Sequence, residues 1–180
     1  MYIIPIYYVE SRGKTDYNKG NDPKETGMIR LSTKGRYGTR LMQNLALRYK
    51  EGGKAAILKN ISDQEEISIR YLEQIIIPLK INKLVKSIRG AGGGYILARN
   101  PSEISMREIL HALEGTCCLV ECVEEEDICA RIATCAAHDV WKGATLLLKD
   151  YFENITLDDL VQIAEKKRRK VRDKAKPKAH

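Results

Sequence analysis

Between residues 122 and 138 the chain places Cys122, Cys129, Cys135 and His138 at the spacing C-x6-C-x5-C-x2-H. Three thiols and one imidazole in so short a segment can fill the four positions around one metal ion or one small cluster. Zinc accepts such donors, but zinc ribbons and fingers usually set their cysteines in close pairs, and no C-x-x-C occurs in this chain. The wider spacing favours a bulkier guest, an iron-sulfur cluster, with zinc as the alternative. A ligating histidine is a neutral imidazole, so protonation competes with coordination. Replacing a thiolate, it lowers the cluster's negative charge and raises its reduction potential. The adjacent Glu124, Glu125, Glu126 and Asp127 are read as solvating the loop and are given no ligand role. Cys117 and Cys118 stand just upstream, where partial burial and packing is the common fate of a free cysteine.

The elements around this loop divide by charge. Residues 28–101 hold 14 Lys and Arg and 5 Asp and Glu, a net of +9, whereas residues 102–165 hold 4 and 14, a net of −10. The basic half points to a nucleic-acid partner and the acidic half to a separate task. Residues 166–180 add a net of +8 with few apolar side chains and are expected to form a disordered basic tail. At 180 residues the chain suits one domain with appendages. The opening M-Y-I-I-P-I-Y-Y-V is apolar but too short to span a bilayer, contains Pro5 and lacks a basic flank, so neither a signal peptide nor a membrane anchor is expected. Residues 1–27 are taken as an extension ahead of a patterned start at Met28. Clustered thiols and no secretion signal place the protein in a reducing cytoplasm.

Local signals order the basic half. Ser32 caps a helix striped with Tyr37, Leu41, Leu45 and Tyr49 and ended by Glu51-Gly52-Gly53, and a short helix follows around residues 57–64. Ser68 caps a third helix in which Leu72, Ile75, Ile76 and Leu79 form the packing stripe. Arg70, Glu73 and Gln74 fall on another face, and Pro78 is expected to end or kink the helix near Ile77. Two strand-like runs, residues 84–88 and 95–98, flank a glycine-rich turn carrying Arg89 and Gly90. Helix, turn, helix and hairpin make a winged helix-turn-helix, in a fold that is mainly α with a small β-hairpin wing. Arg70 and Gln74 can donate to base edges, Glu73 can accept from a cytosine amine, and Arg89 can enter a minor groove of double-stranded promoter DNA. The glycines run into a strand and not a helix N-terminus, so a phosphate cradle is set aside.

Ser105 and Glu108 form a capping box for a helix with Met106, Ile109, Leu110 and Leu113 on one face, stopped by Gly115. After the cysteine segment, a longer helix from about His138 carries Trp141, Ala144, Thr145, Leu148, Tyr151 and Phe152, a stripe suited to a dimer seam or to packing within the chain. The run N-I-T-L-D-D-L-V predicts a short capped helix.

The segments L-S-T-K-G-R-Y-G from Leu31, I-S-I-R-Y-L-E-Q from Ile67, S-I-R-G-A-G-G-G-Y from Ser87 and C-A-A-H-D-V-W from Cys135 resemble the IscR-like family of bacterial winged-helix repressors. The likeness covers roughly residues 28–165. It implies a homodimer joined by a long dimerisation helix and a 2Fe-2S cluster on Cys122, Cys129, Cys135 and His138. It also implies that Ser68, Arg70, Glu73 and Gln74 lie in the recognition helix, that Glu73 helps select the promoter class, and that Arg89 in the wing enters the minor groove. The implied function is repression of iron-sulfur assembly genes when cluster is loaded. The first cysteine interval is one residue longer than the family's usual five, Pro78 interrupts the segment after the reading residues, and the N-terminal extension is foreign to the family. Other branches sense nitric oxide through a 4Fe-4S cluster, sense iron, or regulate cysteine metabolism without a cluster. An iron-sulfur electron carrier would leave the basic winged helix unexplained. No nucleophile-base or carboxylate pair argues for an enzyme; Cys135 with His138 could serve as one only if no metal claimed them.

Overall fold

The computed structural model describes residues 31–175. The extension expected over residues 1–27 and the end of the expected tail, residues 176–180, lie outside them. The described elements run α1 (Thr33–Lys50), α2 (Leu58–Glu65), α3 (Ile69–Ile81), β1 (Val85–Ile88), β2 (Gly94–Leu97), α4 (Met106–Glu114), α5 (Ala136–Glu153) and α6 (Leu157–Ala175). Three short 3-10 turns carry the chain from α4 to α5.

The caps are where the side chains predict them. The Ser32 hydroxyl accepts from Gly35 N and the Ser68 hydroxyl from Tyr71 N, each satisfying a donor that a helix start leaves unpaired. Both halves of the Ser105–Glu108 capping box are made, and Glu108 also pairs with Arg99 on the exit from the wing. Ser105→Ala is therefore expected to lower stability by about 1 kcal/mol in urea unfolding.

The core lies between α1, α3 and α4. Leu41 and Met42 of α1, Leu72, Ile75 and Leu79 of α3 and Ile109 of α4 are all fully buried. Leu157 and Val161 of α6 join the same cluster against α1, and α6 is held there by three further contacts. Leu157 N donates to Ile104 O at 2.8 Å, Ser105 and Thr156 form an antiparallel bridge, and Lys50 donates to Asp158 at 2.8 Å. The Lys50 bond, with one from Gln162, holds the Asp158 carboxyl below the usual carboxylate range.

The wing is an antiparallel hairpin in the register Val85↔Leu97, Lys86↔Ile96, Ser87↔Tyr95 and Ile88↔Gly94. Tyr95 exchanges two 2.9 Å backbone bonds with Ala56, so Ala56, two residues ahead of α2, acts as a third, single-residue strand. Gly94 is required there: at φ 149° a Cβ would stand 2.5 Å from the Ala56 carbonyl oxygen, a backbone atom that cannot step aside.

Three sequence expectations are corrected. Pro78 does not end α3 near Ile77: the helix continues to Ile81 with the proline inside it. The donor it lacks leaves one carbonyl, on exposed Gln74, open to water, while buried Ile75, Ile76 and Leu79 hold both sides of the proline. Asn82 closes the last turn through two bonds to the Pro78 carbonyl.

The short helix after Asn154 is instead 19 residues long, and residues 166–175, expected in a disordered tail, are its second half. Low apolar content misleads here because nucleation is paid upstream. Thr156 and Asp159 exchange capping bonds, Leu157 and Val161 anchor the first turns, and Lys and Arg propagate a helix well once it exists. Acids in the first turn and cations in the last also suit the helix dipole.

The stripe expected along α5 is divided. Thr145 is buried and Leu148 and Phe152 are half-buried, whereas Val140, Leu147 and Tyr151 are 64%, 73% and 55% exposed. With half-buried Ala144 between them, the latter lie at i, i+4, i+7 and i+11, a heptad-like seam rotated from the expected one.

Candidate DNA-reading surface and cysteine loop

Turning α3 so that Leu72, Ile75, Ile76 and Leu79 face the core leaves Ser68, Arg70, Glu73 and Gln74 exposed along its first two turns. Arg89 and Gly90 are exposed at the wing tip, where Gly90 has φ 102°. The side chains of Arg70, Glu73, Gln74 and Arg89 make no hydrogen bond or ion pair with another described residue. Their donors and acceptors are thus available to a ligand, while the Ser68 hydroxyl is committed to its cap.

A polar clasp that local sequence signals do not announce sets the start of α3. Arg40 of α1 donates from Nε to Glu65 Oε2 at 3.0 Å and from a second nitrogen to the Glu65 carbonyl, and exposed Gln64 accepts from buried Asn44 and from Arg48. This network grips the end of α2 immediately before Glu66, whose left-handed φ of 55° turns the chain into α3. Tyr37 meets Tyr71 edge to face at 5.8 Å, with Arg36 and Arg40 against its ring. The contacts that join α1 to α2 and α3 are made by residues 16 to 34 positions apart, so no local spacing could reveal them. Exposed Ile69 and Ile77 also lie on α3 beside the polar readers and were not singled out as site residues.

The cysteine loop is built differently. From Glu121 to Thr134 the chain advances by single 3-10 turns in which none of the described side chains is buried, so backbone bonds between near neighbours, and not a core, hold it. It is tied down at its ends. Thr116 bonds the Glu124 carboxylate, and Leu119 N donates to the buried Thr145 hydroxyl of α5 at 3.4 Å.

His138, 4% exposed, lies in the first turn of α5, and its Nε2 lies 3.2 Å from the Cys122 carbonyl oxygen. A carbonyl only accepts, so Nε2 carries the proton in this contact and, in the neutral ring, the lone pair is on Nδ1. Nδ1 is 3.5 Å from the exposed Asp139 carboxylate. Cys135 and His138 line one open pocket together with Ile132, Thr134, Asp139 and Lys142.

All five cysteines are free thiols of intermediate exposure. In kind and number, Cys122, Cys129, Cys135 and His138 fit an iron-sulfur cluster or a soft metal ion. Among the described residues, however, no three His, Cys, Asp or Glu side chains converge closely enough to hold a metal. The structure joins His138 to the Cys122 backbone and to Cys135 across the pocket but does not close the four donors around one centre. Cys117 is set apart chemically. Burial pushes its thiol up, with Lys149 and Arg107 drawing it partly back, which suits a protonated packing residue.

Comparison with known proteins agrees with this architecture. The Rrf2 family model, described as iron-dependent transcriptional regulator, matches residues 31–163. The chain is 37% identical over 137 residues to the HTH-type transcriptional regulator IscR of Pectobacterium atrosepticum, covering 76% of this chain and 82% of that protein. Among solved structures it resembles T. potens IscR with a TM-score of 0.64 and 35% identity, over 77% of this chain and 90% of that one. It resembles CymR, the global cysteine regulator of B. subtilis, with a TM-score of 0.63 and 37% identity, over 75% and 98%. No described helix is long and apolar enough to cross a membrane. These relatives are transcriptional regulators and not enzymes, and by fold and sequence this chain belongs to the same Rrf2 family of winged-helix transcriptional regulators.

Proposed function

We propose that this regulator is a cytoplasmic homodimeric repressor that binds double-stranded promoter DNA and senses iron-sulfur cluster status through a 2Fe-2S cluster, controlling cluster-assembly genes. The observation that carries the proposal is the junction of the cysteine loop with α5. A buried imidazole is oriented by the Cys122 carbonyl and shares a pocket with Cys135, at the root of a helix that presents an apolar seam.

Cys122, Cys129, Cys135 and His138 would hold the cluster. The Nε2–H bond to the Cys122 carbonyl would fix the ring and leave Nδ1 as the donor, the usual division of labour for a ligating histidine. When bound, the cluster supplies a redox-active and labile crosslink between loop and helix. The chain does the rest. Closing the loop would anchor the first turn of α5, and α5 would set the spacing of two recognition helices across the seam formed by Val140, Ala144, Leu147 and Tyr151.

In the DNA complex, Arg70 and Gln74 would donate to base edges in the major groove, Glu73 would accept from a cytosine amine and so discriminate promoter classes, and Arg89 would enter the minor groove beside Gly90. The Ser68 hydroxyl keeps its capping bond.

Equal 37% identities to an IscR and to a CymR favour a second reading, a regulator of cysteine metabolism that needs no cluster. Selecting bound fragments from genomic DNA with cluster-loaded and with cluster-free protein separates the two. The proposal requires that loading change which fragments are recovered; identical recovery favours the second reading. On a selected fragment, Arg89→Ala is expected to weaken binding by about 1–3 kcal/mol while weakening random-sequence binding much less. Equal losses on both would reduce Arg89 to a phosphate contact.

A further inference from the structure

Beyond the recognition helix and wing, the far half of α6 carries a second concentration of positive charge. Between Lys166 and Lys174 there are seven Lys and Arg and a single acid, Asp173, and every side chain in that stretch is exposed. None of the seven makes an ion pair or hydrogen bond with another described residue. Like charges stand one turn apart at Lys166/Lys170, Arg168/Arg172 and Lys170/Lys174, a spacing at which they repel. Because the segment is helical, these charges are spread around a rod rising about 1.5 Å per residue, some 15 Å for ten residues. A rod of unpaired, mutually repelling cations is complementary to an extended polyanion.

The place where α6 is rooted says which polyanion. Its first turn is clasped by Lys50 at the end of α1. The next stretch of chain, Gly53 and Lys54, lines a groove at the base of the wing with Lys86 and Tyr95. Lys54 and Lys86 likewise have no partner among the described residues. The helix that carries the basic rod is thus rooted beside the chain that leads to the base of the wing, and residues 28–101, which include α3 and the wing, carry a net charge of +9.

We propose that the C-terminal half of α6 is a second DNA-binding surface, which holds the phosphate backbone beside the site read by α3 and the wing without reading sequence. One face of the rod can meet the duplex at a time, so about three phosphates are neutralised per chain, and each adds about 0.9 to the slope of log affinity against log salt.

The test uses the full chain and a random-sequence duplex of about 30 base pairs, so it depends on neither the operator nor the cluster. Fluorescence anisotropy is measured across a salt series for the unaltered protein and for a variant carrying K166Q, K167Q, R168Q, R169Q and K170Q. The slope is expected to fall by about 2–3 units and the affinity at low salt by at least about tenfold, with thermal melting unchanged because these side chains pack on nothing. An unchanged slope overturns the proposal. If the variant fails to fold, the unaltered protein decides: amine acylation read by mass spectrometry must show Lys166, Lys167 and Lys170 protected by the duplex, and undiminished acylation overturns it. Binding to phosphatidylserine vesicles with no loss of DNA slope in the variant also overturns it, in favour of an anionic lipid surface.

Discussion

Replacing Cys135 by Ala is expected to abolish cluster loading while leaving the fold and the dimer intact. Cys135 occupies the N-cap position of α5 yet makes no side-chain capping bond, and its thiol is only half-buried, so alanine removes neither a hydrogen bond nor a packed core contact. The expected stability change is within about 0.5 kcal/mol, the range of surface substitutions that touch no special feature. Iron and labile sulfide bound after reconstitution should fall to background, and the set of promoter fragments recovered should become that of cluster-free protein. Cys118→Ala is the matched control and should retain full loading. Retention of iron by Cys135→Ala together with its loss in Cys118→Ala would move the ligand set upstream and break the proposed partnership with His138.

A charge placed in the α5 seam is expected to separate the proposed dimer. Leu147 is 73% exposed in the single chain, so Leu147→Asp costs the folded monomer little. In a two-fold interface the same side chain is buried twice. At about 1.5–3 kcal/mol for each buried leucine, the loss is about 3–6 kcal/mol, at least about a hundredfold in the dimer dissociation constant. Sedimentation equilibrium of this variant should give monomer, with an unaltered helical circular dichroism spectrum. A variant that remains fully dimeric would place the interface away from Val140, Leu147 and Tyr151. In the proposed dimer this seam would set the half-site spacing on DNA, so the monomer should also lose cooperative operator binding while each winged helix stays intact.

Much of the DNA-reading half was legible in the sequence because its signals are local. Ser32, Ser68 and Ser105 each precede an apolar stripe of helical period and each becomes an N-cap. The glycines before Tyr95 mark the hairpin turn, and Gly94 lies against Ala56 where only a glycine fits. Once the stripe of α3 is fixed, the exposure of Arg70, Glu73 and Gln74 follows from the helix period alone.

What the sequence concealed depends on tertiary context. The clasp of Arg40 on Glu65 joins residues far apart in the chain, and Pro78 is tolerated because packing on both sides outweighs one missing backbone donor. The phase of the α5 seam is not decided by a helix with apolar residues on two neighbouring faces; contacts with the rest of the chain, through Thr145 and Phe152, choose which face remains outside. The basic end of α6 shows the opposite error, a segment unable to fold alone that extends a helix nucleated by its neighbours. Type and spacing single out the candidate donors of the cysteine loop, but a loop with no core of its own does not fix where four side chains meet.

The central claim is that those four donors hold a 2Fe-2S cluster, and the most direct test is to purify the full chain anaerobically and assay iron, labile sulfide and zinc beside the visible absorption spectrum. The account predicts about two irons and two sulfides per chain, with thiolate-to-iron charge-transfer bands. Zinc in their place, or no metal after reconstitution, would contradict it and leave a winged-helix regulator that takes its signal by another route.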